Sequence, residues 1–194
     1  MEQIRAFVAI ELPDEIKHHL TQVGKILRRD RESFVKWADS DGIHLTLKFL
    51  GDIPSDQVAN VSSAIESGAK GIVPFSLELQ QTGAFPNLRS PRVAWVGVGG
   101  NLADLYKLQK NIETALQPLG FSPEKRQYSA HLTLGRVRER ASQSQRADLG
   151  KALQTMKIND PAAFRVERVS LLQSKLTPGG AVYSRLAGFA LDNE

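Results

Sequence analysis

His44-Leu45-Thr46-Leu47 recurs, residue for residue, as His131-Leu132-Thr133-Leu134. The chain has only four histidines, His18, His19, His44 and His131, and two of them open this tetrapeptide. Such a repeat points to an internal duplication. Each copy lies in an apolar run that reads as a strand, Ile43 to Leu50 and His131 to Val137. Side chains alternate between the faces of a strand, so His44 projects with Thr46 and His131 with Thr133, while the leucines turn into the core. Two such strands facing each other across a cleft would gather two imidazoles and two hydroxyls in one small volume.

The flanking sequence supplies the rest of a mixed fold. Ile4 to Leu12 reads as a strand stopped by Pro13, and Asp14 to Arg31 as a helix with Ile16, Leu20, Val23 and Leu27 on its buried stripe. Pro54 to Lys70 predicts a second helix, with Ser55 as its N-cap and Val58, Val61 and Ile65 buried. Val73 to Gln80 and Arg92 to Val98 are strand candidates around the turn-rich GAFPNLRSP. Leu102 to Leu119, capped by Asn101, and Gln143 to Met156 complete the helices. Phe164 to Leu172 and Val182 to Leu191 read as a closing antiparallel pair around Thr177-Pro178-Gly179-Gly180. The class is α+β, and no linker divides residues 1–194, so a single domain is expected.

Composition removes several function classes. There is no cysteine, which excludes disulfide scaffolds, thiolate metal sites and thiol nucleophiles. No apolar run reaches the roughly 18 residues of a membrane helix. Met1 to Pro13 carries Glu2 and Glu11 and lacks the basic head and cleavage site of a signal peptide, so the expected location is the cytoplasm. A net charge of +4 suits a phosphate held in a cleft better than a broad duplex-DNA surface.

The duplicated pair fits a phosphodiester. Hydroxyl donors can hold its non-bridging oxygens, each bond to a charged group contributing about 1.5–3 kcal/mol. A neutral imidazole can take a proton from water, and an imidazolium can protonate the departing ribose oxygen. In-line displacement needs the acid and the base on opposite sides of phosphorus, which two separate strands provide. A zinc site would need a third ligand, and Asp39 and Asp41 read as an ordinary turn before the first motif. This chemistry alone leaves open which histidine is the acid.

At these motifs the sequence resembles the two-histidine (2H) phosphoesterase superfamily, and more narrowly the RNA 2′,3′-cyclic phosphodiesterases, also called 2′-5′ RNA ligases. The resemblance runs through RAFVAIELP, HLTLKFLG, FPNLRSPRVAWVGV, HLTLGR and LLQSKLTPGGAVYSRLAGF. It implies a bilobal fold of pseudo-two-fold symmetry, with antiparallel sheets lining a central cleft and helices outside. It implies hydrolysis of a 2′,3′-cyclic phosphate on RNA or a nucleotide to a 2′-phosphomonoester, without metal or other cofactor. His44 would be the proton donor, His131 the proton acceptor, and Thr46 and Thr133 the phosphate holders. The partner is then an RNA end or cyclic nucleotide, and the protein a monomer with no obligatory protein partner. Ala130 departs from the proline that often precedes the second histidine.

Arg136 matches an arginine often found just after the second motif, yet strict alternation puts it on the face opposite His131. It reaches the ligand only if the strand twists, bulges or ends there. Lys48 has the parity of His44 and Thr46, so it is expected to point into the cleft, the alternative being a solvated strand-end lysine. Phe49, Trp95 and Tyr128 are candidates to stack on a base, or else core aromatics, and Arg126 a candidate for the cleft mouth. Gly97-Val98-Gly99-Gly100 lacks the third glycine of a dinucleotide turn. His18, His19 and Tyr183 read as surface or structural residues. Competing functions are the reverse joining of RNA ends through a 2′-5′ bond, a non-catalytic RNA-end binder, and a metal phosphodiesterase.

Overall fold

Two antiparallel sheets organise the computed structural model, which describes residues 2–158, 162–178 and 180–192. The chain runs β1 (Gln3–Glu11), α1 (Asp14–Arg28), β2 (Val35–Trp37), β3 (His44–Pro54), α2 (Val58–Ala69), β4 (Phe75–Phe85), β5 (Val93–Gly100), α3 (Leu102–Leu116), β6 (His131–Val137), α4 (Gln143–Thr155), β7 (Ala163–Val166), β8 (Arg168–Thr177) and β9 (Gly180–Ala190). The first sheet has the order β3-β1-β8-β9 and the second β2-β6-β5-β4-β7. Helices α2 and α3 pack together against the first sheet, and α1 and α4 against the second. Each sheet with its two helices is one lobe, and the lobes exchange a helix: α1 leaves the first sheet for the second lobe, and α3 does the reverse. No helix among the described residues is long and apolar enough to cross a membrane.

The elements form where local chemistry asks for them. In α1, Asp14 and Glu15 occupy the first turn and Lys25 and Arg28 the last, matching the helix dipole, and Ile16, Leu20, Val23 and Leu27 are buried. Asn101 caps α3 by accepting from the Asp104 amide, and Ser142 with Gln145 forms a capping box on α4. Ser55 does not cap α2; it opens a single 3-10 turn that leads into the helix. The segment expected as one strand from Phe164 is two strands in different sheets. β7 pairs with β4 and β8 with β1, and the chain crosses between lobes at Glu167. The alternation marks this break: Phe164 and Val166 are buried before it, Val169 and Leu171 after it, so the buried phase changes from even to odd positions. Gly179 of the closing turn lies outside the described residues.

Both motif strands carry a β-bulge at the same place. On β3, Thr46 and Lys48 sit opposite the adjacent residues Ala9 and Val8, which leaves Leu47 as an extra residue; Leu50 is a second, between Phe49 and Gly51. On β6, Thr133 and Gly135 sit opposite the adjacent residues Trp95 and Ala94, which leaves Leu134 as the extra residue. A bulge puts two consecutive side chains on one face and reverses the parity beyond it. Leu45, Leu47, Leu132 and Leu134 are all buried, each contributing about 1.5–3 kcal/mol.

The bulge overturns the expectation for Lys48. Together with Leu47 it turns into the protein, where Lys48 is 4% exposed. Its Nζ donates to Glu113 Oε1 on α3 at 2.9 Å and to the Ser122 carbonyl at 2.8 Å. The same Glu113 oxygen accepts from the Glu124 amide at 2.9 Å. Burial pushes the Glu113 carboxyl up, but the Glu124 amide and the Lys48 ammonium outweigh it and hold it below the usual carboxylate range. Lys48 therefore anchors the connection from α3 to β6 rather than attracting phosphate. At the equivalent bulge position stands Gly135, where a Cβ would press at 3.0 Å on both Trp37 Cε3 and Val35 Cγ1.

Two stability outcomes follow. Lys48→Met leaves the largely buried Glu113 carboxylate with the Glu124 amide but without its counter-charge, and should cost about 3 kcal/mol in urea unfolding. A variant of wild-type stability with weakened phosphate binding would instead restore Lys48 to the cleft. Gly150→Ala would put a Cβ 1.8 Å from the Leu88 carbonyl oxygen, so α4 must move off the β4–β5 connection. Unfolding measurements should register a loss of about 3 kcal/mol, and an unchanged midpoint would contradict that packing.

Candidate active site

Strands β3 and β6 contact each other where the two lobes meet, so the two motifs share one cleft. The Tyr128 hydroxyl ties this junction by donating to the Thr46 carbonyl at 3.0 Å. Burial drives the Tyr128 phenol well above its ordinary pKa, so it remains a donor. Tyr128 thus braces the two lobes through its hydroxyl.

The histidines are held in the same way. His44 Nδ1 lies 2.8 Å from the Gly42 carbonyl and His131 Nδ1 lies 2.7 Å from the Ser129 carbonyl. A carbonyl only accepts, so each Nδ1 carries a proton and each neutral ring presents Nε2 as its basic nitrogen. Aromatic rings fix the imidazole planes. The ring centres of Phe7 and Tyr183 lie 4.5 and 4.8 Å from that of His44, with Tyr183 nearly perpendicular to it, and the Phe85 ring stands perpendicular to His131 at 4.8 Å between centres.

The parity change after each bulge selects what stands beside these rings. Phe49 and Arg136, each two residues beyond the bulge residue, turn to the face that carries the histidine and threonine. Phe49 is 64% exposed, with its ring 6.0 Å from Phe7, and Arg136 is exposed. On the first lobe the cleft floor is a small apolar cluster of Phe7, Ala9 and Leu172, separate from the main core. On the second it is Trp95, cross-strand from Thr133 and lying over Gly83, where a Cβ would fall 2.2 Å from the indole. Trp95 is 5.3 Å from Phe85, so it backs the ring that backs His131.

The electrostatics of the two sites differ. Burial is the main influence on both imidazoles and lowers both below the ordinary histidine value. The carbonyl bond opposes it in each case. Beyond that, the Glu11 carboxylate raises His44, whereas the Arg136 guanidinium lowers His131 further. Glu11 is the cross-strand partner of His44 and is held by Arg185 of β9, whose Nε donates to Oε1 at 2.8 Å and whose Nη2 bonds the second oxygen.

The remaining candidates fall outside this set. Arg126 is exposed on the connection before β6, and Asp39 serves as the cap of a 3-10 turn by accepting from the Asp41 amide. His18 lies on the exposed side of α1 beside Gln22. Among the described residues no three His, Asp or Glu side chains converge as a metal-ligand set. Glu11, Phe7, Phe85 and Arg185 escape sequence reasoning, because their roles depend on strand register between distant segments. Only the charge of Glu11, directly after the apolar run from Ala6 to Ile10, is a local signal.

Comparison with known proteins agrees with this geometry. A family model described as LigT like Phosphoesterase matches residues 10–95 and again residues 97–183, each match starting the same distance before its histidine. An RNA 2′,3′-cyclic phosphodiesterase of Methanothermobacter thermautotrophicus is 32% identical over 189 residues, covering 97% of this chain and 100% of that protein. One of Archaeoglobus fulgidus is 32% identical over 186 residues, covering 96% and 99%. The crystal structure of TT0787 of Thermus thermophilus superposes with a TM-score of 0.79 at 26% identity, covering 98% of this chain and 100% of that one. LigT of E. coli complexed with 3′-AMP superposes with a TM-score of 0.74 at 26% identity, covering 98% and 99%. With both halves matched and both motif strands in place, the chain belongs to the LigT-like phosphoesterase family.

Proposed function

We propose that this protein hydrolyses the 2′,3′-cyclic phosphate of an RNA end or nucleotide to a 2′-phosphomonoester, using its two motif histidines and no metal. The observation that carries this reading is the matched pair of imidazoles, each tied at Nδ1 to a carbonyl and each leaving Nε2 free. The names of the relatives supply the substrate class.

In this mechanism neutral His131 accepts a proton from water at Nε2 while the water oxygen bonds to phosphorus. The bond from phosphorus to the 3′-oxygen breaks, and the His44 imidazolium gives that oxygen its Nε2 proton. The elements of water are thus added across one P–O bond, and the phosphate remains on the 2′-oxygen. Thr46 and Thr133 donate to the non-bridging oxygens, and Arg136 offsets their charge. Phe49 supplies an exposed face on which a base can stack. Both histidines are lowered by burial in the free protein. A bound phosphodiester anion favours the protonated form of a nearby imidazole, which assists the donor when substrate arrives.

Kinetics on a cyclic-phosphate substrate test the assignment. His44→Ala and His131→Ala should each lose about 100-fold or more in kcat. Thr46→Val and Thr133→Val should lose about tenfold, in keeping with one hydrogen bond to a charged group. Normal rates in either pair would remove those residues from the mechanism. The profile of kcat/KM against pH should be a bell: it rises as His131 loses its proton and falls as His44 does. Because burial lowers both, its centre should fall below pH about 6.5. A flat profile from pH 5 to 9 would contradict paired histidine catalysis.

A further inference from the structure

The two halves of the site are near copies, yet the reaction needs one acid and one base. The tetrapeptides are identical, the bulges fall at the same residue, and both rings are anchored to the carbonyl two residues upstream. None of these features distinguishes a donor from an acceptor. What does differ is the charge on the cleft face beside each ring.

We propose that Glu11, held in place by Arg185, is the positioning residue that assigns the proton-donor role to His44. The reading rests on the acid–base mechanism above. Glu11 is the last residue of β1 and stands directly opposite His44 in the pairing with β3, so the two side chains leave the same face of the sheet. Its carboxylate is fixed from β9 by a two-pronged bond to the Arg185 guanidinium. That bond is the largest of the influences that keep the carboxyl below the usual carboxylate range, so Glu11 is charged throughout the working range of a histidine. The rings against His44 are Phe7 from β1 and Tyr183 from β9. Lys17 of α1 acts on Glu11 and is itself 3.6 Å from Asp14. Among the described residues Glu11 is the carboxylate that acts on His44, and it favours the imidazolium.

Among the described residues the second lobe shows no counterpart, since the cross-strand partner of His131 is Gly97. Beside His131 stand the neutral Phe85 ring and, beyond the bulge, the Arg136 guanidinium, which favours the neutral imidazole. A carboxylate on one side and a guanidinium on the other separate two rings whose local geometry is the same. They do so in the direction that makes His44 the donor and His131 the acceptor.

The test is an NMR pH titration of the two imidazoles without substrate, in wild type, Glu11→Gln and Arg185→Gln, alongside rate profiles of the same proteins. In Glu11→Gln the His44 ring should titrate at lower pH and His131 should be unmoved. In Arg185→Gln the carboxylate loses its counter-charge, so His44 should move the opposite way. Glu11→Asp should keep the wild-type direction. In the rate profile the alkaline limb of Glu11→Gln should move down, costing about threefold in rate at pH 8, with the acidic limb in place. A His44 ring that titrates as in wild type in both variants, or a His131 ring that moves as far as His44, overturns the proposal and leaves the hydrolytic reading standing. A His44 ring that moves as expected while the alkaline limb stays put also overturns it, because His44 is then not the donor that the limb reports.

Discussion

In each motif strand an extra residue directly after the threonine, Leu47 or Leu134, interrupts the pairing with the neighbouring strand, and the composition of the cleft depends on that interruption. Without it, Lys48 and Gly135 would follow the threonines on the cleft face, while Phe49 and Arg136 would point into the core. With it, the histidine, the threonine and the residue five places after the histidine line up on one face. A buried, unpaired guanidinium would be costly, so the bulge also lets Arg136 occupy this strand. The residue that the bulge turns inward must then be accommodated. The first lobe does this with the Lys48–Glu113 ion pair, and the second with a glycine under Trp37 and Val35.

Those two solutions link the site to the fold. The Lys48–Glu113 pair captures the Ser122 carbonyl and the Glu124 amide, and the same connection then delivers Tyr128 to the Thr46 carbonyl and Ser129 to His131. One continuous path therefore runs from the bulge of the first motif to the carbonyl that orients the second histidine. The exchanged helices reinforce it, since each lobe is completed by a helix whose preceding strand lies in the other. Relative position of the two imidazoles is set by this joint network and not by either sheet alone.

The alternation of apolar residues showed most of the sheet framework, and the repeated tetrapeptide marked the two strands on which the proposed chemistry rests. β6 spans the same residues that the pattern predicts, and the buried stripe of α1 is the predicted one. β2 was not legible, because three residues are too few to establish a period. The division at Glu167 was legible only as a change of phase in the alternation. Lys48 was misplaced for a physical reason: alternation assumes one residue per step, and a bulge spends two. The same bulge turns Arg136, whose sequence parity pointed to the opposite face, to the face of His131. Glu11 and Arg185 lie far apart in the chain and meet only through the pairing of β1 and β8 and then of β8 and β9. No local pattern could join them.

The most direct test of the central claim is a phosphorus NMR time course on an RNA oligonucleotide ending in a 2′,3′-cyclic phosphate, in EDTA, with wild type beside His131→Ala. The account predicts that wild type alone converts the cyclic signal to a 2′-monoester. A 3′-monoester product, a requirement for added metal, or equal conversion by His131→Ala would contradict it.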